Sequence, residues 1–498
     1  MSQGPHRNPN VVLHLGREAI GPPSPMNRRG SPRPNRVVVA LVGPILAVGL
    51  SVAAAPLTAG ATTGWQFATQ PKNAFEATNV SCAAGTPYCA AVGYLGHRNA
   101  AEYSTDGGRA WKMASIPNGP GGSITVTNDA LSCTASARGA DCVDIDNPYS
   151  PGAGGIGLPP FGTDDVYYST DGGAKWSRST PERQVDGTPP VVSCYESAGV
   201  GHCLSSGDSI TLDGGAHWSS TKGLPGFFGS TGIGETTTEM DRTFPGEYPE
   251  SNLTCSVMDG ADHCVVVGTA FAAPVASASF SNNGGASWTV SSVPRSAGSL
   301  YYVSCAVLHG AEDCAALGST FLYSSDGGVS WSSAKSPAHL RGLFGLACAA
   351  GASSVQCDAI SYSGKTEALL YSGNGGRSWS EAGNHNQLGV APDQFGSAVT
   401  CLGGLSVTCY VVGALIRQVG KYHETAEMEA DASSDGGARW SVMAVVPDPG
   451  FFPDKVTSPS CSSKGRCVFI VNSYFPWSPG DPTYDENAYS SRILTNAT

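Results

Sequence analysis

Three carboxylates, Asp164, Asp165 and Glu424, are of a type that works in pairs. One carboxyl protonates a leaving group while the other attacks or activates water, which requires the two to face each other about 5–10 Å apart. A second set is aromatic. Tyr149, Phe161, Phe228, Phe244, Tyr248, Tyr422, Phe452, Trp477 and Tyr484, joined by Arg417, are candidates to bind a ligand. Ring faces beside charge suit sugars, peptides or cationic protein surfaces; the alternative is that these rings cover the protein's own core. Other catalytic signatures are missing: no Gly-x-Ser-x-Gly elbow, no His-Glu-x-x-His and no phosphate loop. His202, His217 and His263 fall in turns and are expected to be solvated. No cofactor or metal is called for.

The third set is sixteen cysteines in eight close pairs: Cys82/Cys89, Cys133/Cys142, Cys194/Cys203, Cys255/Cys264, Cys305/Cys314, Cys348/Cys357, Cys401/Cys409 and Cys461/Cys467. Zinc sites favour about two to four intervening residues, whereas most of these pairs enclose eight. Each pair is flanked by apolar runs, such as Val80-Ser81 before and AAVG93 after, and encloses turn residues such as Gly85, Gly139, Gly201, Gly260 and Gly310. That is a strand, a turn and a strand, with cysteines facing each other across an antiparallel pair. Facing Cα atoms lie about 4.5–5.5 Å apart, within disulfide reach. The reading is eight local disulfides, and a disulfide framework implies an oxidising compartment.

Seven of the pairs are followed by a second motif, Ser/Thr-x-Asp/Asn-Gly-Gly-x-x-Trp, at Ser104–Trp111, Ser169–Trp176, Thr211–Trp218, Ser281–Trp288, Ser324–Trp331, Ser372–Trp379 and Ser433–Trp440. The acid or amide closes an Asx-type turn, Gly-Gly supplies positive φ, and Trp opens the next strand and buries a ring. Asp106, Asp171, Asp213, Asn283, Asp326, Asn374 and Asp435 are therefore structural residues.

At these residues the chain resembles the Asp-box (BNR) repeat. The resemblance implies an all-β fold, a β-propeller of four-stranded antiparallel blades, with the box between the third and fourth strands. The repeat occurs in sialidases, sortilin-type receptor domains, xyloglucan-cleaving glycosidases and photosystem II assembly factors, so it fixes fold and leaves function open. Eight blades are expected, with seven as the alternative. The eighth unit has Cys461/Cys467 and a third-strand-like Ala488–Ser491 but no box, and Gly64–Pro71 is expected to supply its fourth strand, Trp65 standing in for the missing Trp. Closing the ring removes a free sheet edge.

Antiparallel order puts the cysteine turns and boxes at one end of every blade. The longer segments, Asp144–Asp165, Gly226–Glu250, Thr269–Ser279, Ala414–Asp431, Asp448–Ser458 and Asn472–Asn487, fall at the other end and carry the aromatic and acidic candidates. Binding on a repeat fold concentrates where loops vary.

Charge adds two constraints. Residues 37–498 carry 22 basic and 39 acidic side chains, a net of −17 that disfavours nucleic acid. Residues 1–36 are basic, Pro-rich and expected to be disordered; residues 37–61 hold an uncharged apolar run, Val37–Leu57, followed by Ala59-Gly60-Ala61. That is a signal peptide or, if uncleaved, a membrane anchor, with the propeller at 62–498 outside the cell. The expected role is a non-enzymatic scaffold for a glycan or protein ligand. The alternative is a glycoside hydrolase, either two-carboxylate or sialidase-like. No Arg-Ile-Pro supports the sialidase form.

Overall fold

A computed structural model describes residues 64–71, 75–95, 98–117, 128–147, 165–179, 191–205, 209–223, 253–269, 276–337, 340–363, 366–383, 397–418, 424–446, 453–462, 465–473 and 490–496. Residues 61–498 form one compact unit. Residues 1–60, with the leader and its apolar run, lie outside the described residues. No described helix is long and apolar enough to cross a membrane.

The described strands form eight four-stranded antiparallel sheets, each one blade. Blade 1 is β2 (Phe75–Cys82) to β5 (Lys112–Met113), and blades 2 to 7 follow in chain order. Blade 8 is β30 (Pro453–Cys461), β31 (Cys467–Ser473), β32 (Ser490–Thr495) and β1 (Gln66–Phe67). The amino-terminal strand thus completes the last blade, as the sequence predicts. Its register differs from the expected one: Gln66 faces Thr495 and Phe67 faces Leu494, so the third strand runs to Thr495 rather than ending near Ser491. Val468 pairs with Thr495, and Cys467 N–H is bonded to Asn496 Oδ1 at 2.7 Å, so Asn496 takes the place of the box Ser.

The core lies in the seams. Eight buried apolar clusters are built largely between neighbouring blades, and each contains one tryptophan: Trp65, Trp111, Trp176, Trp218, Trp288, Trp331, Trp379 or Trp440. Trp65 stacks edge-on against Tyr410 of blade 7 and Phe469 of blade 8, at 5.7 and 5.3 Å. Strand alternation explains the arrangement: one face of each inner strand meets the blade before, the other the blade after.

All eight cysteine pairs are disulfides: Cys82–Cys89, Cys133–Cys142, Cys194–Cys203, Cys255–Cys264, Cys305–Cys314, Cys348–Cys357, Cys401–Cys409 and Cys461–Cys467. Their Cα atoms lie 4.0–4.1 Å apart, closer than the range expected for facing residues. The two cysteines of a pair are not equally buried. The second of each pair, Cys89, Cys142, Cys203, Cys264, Cys314, Cys357, Cys409 or Cys467, is at most 1% exposed, whereas Cys194, Cys255, Cys305, Cys348 and Cys401 are partly open. The cause is strand position. Cys89 is paired on both sides, with Cys82 and Ser104; Cys142 likewise with Cys133 and Ser169, Cys203 with Cys194 and Thr211, and Cys264 with Cys255 and Ser281. These sulfurs are core atoms.

The Ser preceding a first cysteine works across the seam. Its Oγ accepts the N–H of the next blade's first cysteine, as in Ser81 to Cys133, Ser132 to Cys194, Ser304 to Cys348 and Ser460 to Cys82, at 2.8–3.0 Å. Three turns place a non-glycine at positive φ before a glycine: Ala198-Gly199, Asp259-Gly260 and His309-Gly310. Gly139 and Gly201, expected in turns, lie in strands, β7 (Gly139–Asn147) and β11 (Val200–Ser205).

Candidate functional site

At the box end the seven motifs share one geometry. The Ser or Thr Oγ donates to the Asx Oδ1 at 2.7–3.0 Å and accepts the second glycine N–H at 2.8–3.0 Å. The Asx Oδ1 accepts the N–H of the residue before Trp at 2.9–3.0 Å. The glycines need left-handed φ, 66–81° at the first and 81–100° at the second. Partial burial raises the Asp213 and Asp326 carboxyls, but hydrogen bonds from His217 and Thr211, and from Ser330 and Ser324, outweigh it and leave both below their ordinary value. Six of the boxes are seen to receive the chain arriving from the blade before. Trp111 N–H bonds Thr69 O, and Trp331 N–H bonds Ser292 O, both at 2.8 Å.

Polar contacts continue between blades at this end. His202 Nδ1 lies 3.2 Å from Asp262 Oδ2, and His263 Nδ1 lies 2.6 Å from Glu312 Oε2. His263 and Glu312 are both about 2% exposed, so the expectation of solvated histidines fails for His263 and in part for His202; His217 alone is open, paired with Asp213. The partners are about fifty to sixty residues apart and meet only because blades stack.

The opposite end varies. Over the described residues the ladder between second and third strands holds seven residue pairs in blade 1, five in blade 2, three in blade 3, six in blade 4, four in blade 5, seven in blade 6, ten in blade 7 and six in blade 8. Ala414–Asp431, expected as a loop, is mostly strand: β27 (Thr408–Gln418) and β28 (Glu424–Ser433) pair to their last residues. The alternation of apolar Ala426, Met428, Ala430 and Ala432 with acidic Glu427, Glu429 and Asp431 is a strand signal. Arg417, facing Thr425, and Glu424, facing Gln418, thereby reach the tip of the longest hairpin. Its outer strand, β29 (Ser441–Val446), is also long, with Val442, Met443 and Val445 each above two-fifths exposed.

Asp165 sits at the seam of blades 1 and 2, buried at 6% exposure. It faces Asp146 across the ladder and is bonded to Arg178, while Asp146 is bonded to Asn99. Tyr167 lies beside them, its hydroxyl raised by burial and by the charges of Asp165 and Asp146. The adjoining crevice, lined by Asn99, Asp144 and Asp146 among others, is too narrow to admit a water molecule. With each carboxylate held by a partner, this cluster orders a seam. Glu424 belongs to blade 7, which shares no seam with blade 2. Asp164, Tyr149, Phe161, Phe228, Phe244, Tyr248, Tyr422, Phe452, Trp477 and Tyr484 lie outside the described residues.

Residues 167–178 match the BNR/Asp-box repeat, at the box of blade 2. No curated protein sequence matches the chain. Among solved structures, YCF48 from Cyanidioschyzon merolae is 14% identical, over 71% of this chain and 96% of that one, with a TM-score of 0.40. The GH74 xyloglucanase from Xanthomonas campestris is 12% identical, over 86% and 55%, with a TM-score of 0.40. An Aleuria aurantia lectin mutant in complex with a methyl fucoside is 15% identical, over 66% and 98%, with a TM-score of 0.32. These likenesses are too distant to carry an argument about activity.

Proposed function

We propose that this eight-bladed propeller of Asp-box repeats is an exported, non-enzymatic scaffold that binds a glycan or a protein through the end opposite its boxes. The observation that carries the reading is a contrast: register is constant at the box end, whereas the separation from the second cysteine to the box Ser or Thr runs from 8 residues (Cys203 to Thr211) to 27 (Cys142 to Ser169). Folds place recognition where connections vary and let the invariant part hold the shape. Export rests on the eight disulfides, which point to an oxidising compartment. The leader at Val37–Leu57 then serves as signal or anchor. The hydrolase reading is weakened by Asp165, which is engaged by Arg178 in a closed seam and is in a blade not adjacent to that of Glu424.

The test compares Phe228→Ala, Tyr422→Ala and Trp477→Ala with Asp326→Ala on a glycan array and in pull-downs from the native milieu. The loop variants are expected to fold normally and lose binding. The box variant is expected to melt earlier and bind normally. Loss of binding in a folded Asp326→Ala alone would overturn the assignment of ends. Hydrolysis of an array glycan that is abolished by Glu424→Gln would overturn the non-enzymatic reading.

A further inference from the structure

At seven of the eight seams the residue after the second cysteine points across at the second box glycine of the following blade. At six seams it is apolar: Ala90, Val143, Leu204, Val265, Ala315 and Val468. Between blades 6 and 7 the same position is Asp358. Its Oδ1 crowds Gly437 so closely that a Cβ there would stand 1.5 Å away. The carboxyl is fully buried, and its Oδ2 lies 3.2 Å from Cys401 Sγ. The carboxyl and both sulfurs of Cys401–Cys409 lie within 4.8 Å of one another. Burial, with the charge of Asp435 nearby, holds this carboxyl well above the ordinary range, so it keeps its proton where surface carboxylates have lost theirs.

An acid in place of an apolar side chain costs stability unless it is used or paired. Another buried carboxylate near a disulfide, Glu312 beside Cys305–Cys314, is paired: Ser256 Oγ and His263 Nδ1 each reach it at 2.6 Å. Among the described residues no donor reaches Asp358 Oδ1. As in the other pairs, the first cysteine is the more open: Cys401 is partly exposed and Cys409 is fully buried, so an incoming thiolate has one sulfur to attack. What sets this bridge apart is that its neighbouring acid replaces an apolar seam residue and meets the sulfur itself, at 3.2 Å.

We propose that Cys401–Cys409 is a redox-active disulfide that dithiols open, with Asp358 as the acid that protonates the departing sulfur. A thiolate of the dithiol attacks Cys401 Sγ and forms a mixed disulfide as the Cys401–Cys409 bond breaks. The electron pair leaves on Cys409 Sγ, which is protonated from water. The second sulfur of the dithiol, having released its proton to water, closes on the first and expels Cys401 Sγ, which takes the proton of Asp358 from 3.2 Å away. Asp358 is then reprotonated from water. Two electrons have passed: one dithiol is oxidised to a disulfide, and one protein disulfide is reduced to two thiols. The physiological partner is therefore a dithiol, of a protein or a small molecule, that reaches the compartment in which this protein is oxidised. Proton donation to a leaving group commonly gives about a hundredfold or more, and the leaving thiol's ease of departure sets exchange rates.

The experiment treats the native full chain with dithiothreitol, blocks released thiols at intervals with an alkylating reagent, and maps peptides to follow all eight bonds. Cys401–Cys409 is expected to open at least about tenfold faster than Cys348–Cys357, a cautious fraction of what proton donation supplies. Asp358→Asn, equal in shape, and Asp358→Leu, restoring the apolar residue of the other seams, should each abolish that lead and leave the remaining bonds unchanged. The order of opening in the unaltered protein is informative whether or not a variant folds. Simultaneous opening of all bonds, prior opening of another bond, or an unchanged lead in both variants would overturn the proposal.

Discussion

At the end of the cysteine turns and boxes, seven blades repeat one scheme of hydrogen bonds; at the opposite end, no two neighbouring blades have ladders of equal length over the described residues. The difference teaches how a repeat fold separates two demands. The box closes its turn with its own side chains, and the disulfide closes a hairpin of six to nine residues' separation, so neither depends on what lies beyond the strands. The other end is freed from holding the blade together.

The comparison breaks most sharply where the ring closes. Trp65→Ala removes a ring packed between blades 7 and 8 and is expected to cost about 3–5 kcal/mol, read by denaturant unfolding. An unchanged midpoint would mean that closure adds nothing and that each blade stands alone.

A pH-dependent effect comes next and belongs to the seams rather than to either end. Burial pushes Glu102 to about 7 from an ordinary 4.5, and Asp431 to about 7 from 3.8 with help from the charge of Glu429. The folded protein keeps protons there that the unfolded chain has released. Stability therefore falls as pH climbs from near 4 to about 7, and levels off above it. Glu102→Gln should flatten part of that slope, so that melts at pH 5 and pH 8 (chosen to bracket the window) draw together; an identical slope would refute the role. Box aspartates act in the opposite sense. Asp213 and Asp326 are held below their ordinary value, so their contribution is present above pH 3.8 and is lost as pH falls through the lowered value.

Smaller effects sharpen the contrast within the constant end. Ser324→Ala leaves the buried Gly328 N–H without its acceptor at 2.8 Å and should cost about 1–3 kcal/mol. Asp326→Asn should cost only about 0.5 kcal/mol or less by the same melts, because Asn283 and Asn374 already accept the equivalent N–H at 2.9 and 3.0 Å. A large loss there would show that charge, rather than the acceptor, closes the turn.

The blade count, the eight disulfides and the donation of Gln66–Phe67 to the last blade are legible in the sequence because each leaves a local mark: a cysteine pair, a box, a stranded tryptophan. The last third strand is misplaced by several residues for the same reason, since its end carries Asn496 instead of a box Ser and so no marker fixes its register. The seams are not legible. His263 meets Glu312, and Ser81 meets Cys133, across blades, and nothing in either repeat alone announces the partner. The unequal burial within each cysteine pair is hidden too, because spacing reveals which residues face each other and not which strand is flanked on both sides. The long hairpin of blade 7 is legible by alternation but masked by its unusual length, as a typical blade ends well short of it. Of the candidate site, only Asp165, Arg417 and Glu424 fall on described residues.

The disulfides close loops of a few residues, whereas β1 must find β32 more than four hundred residues away along the chain. A chain threaded amino-terminus first can therefore oxidise each hairpin as it emerges, with its correct partner already nearest and little opportunity for scrambling. The opening strand has no such option. It waits, unpaired, through the assembly of seven blades, and its docking cannot begin until the last strand has arrived; a nascent chain of this protein is vulnerable at its beginning for as long as its end is unmade.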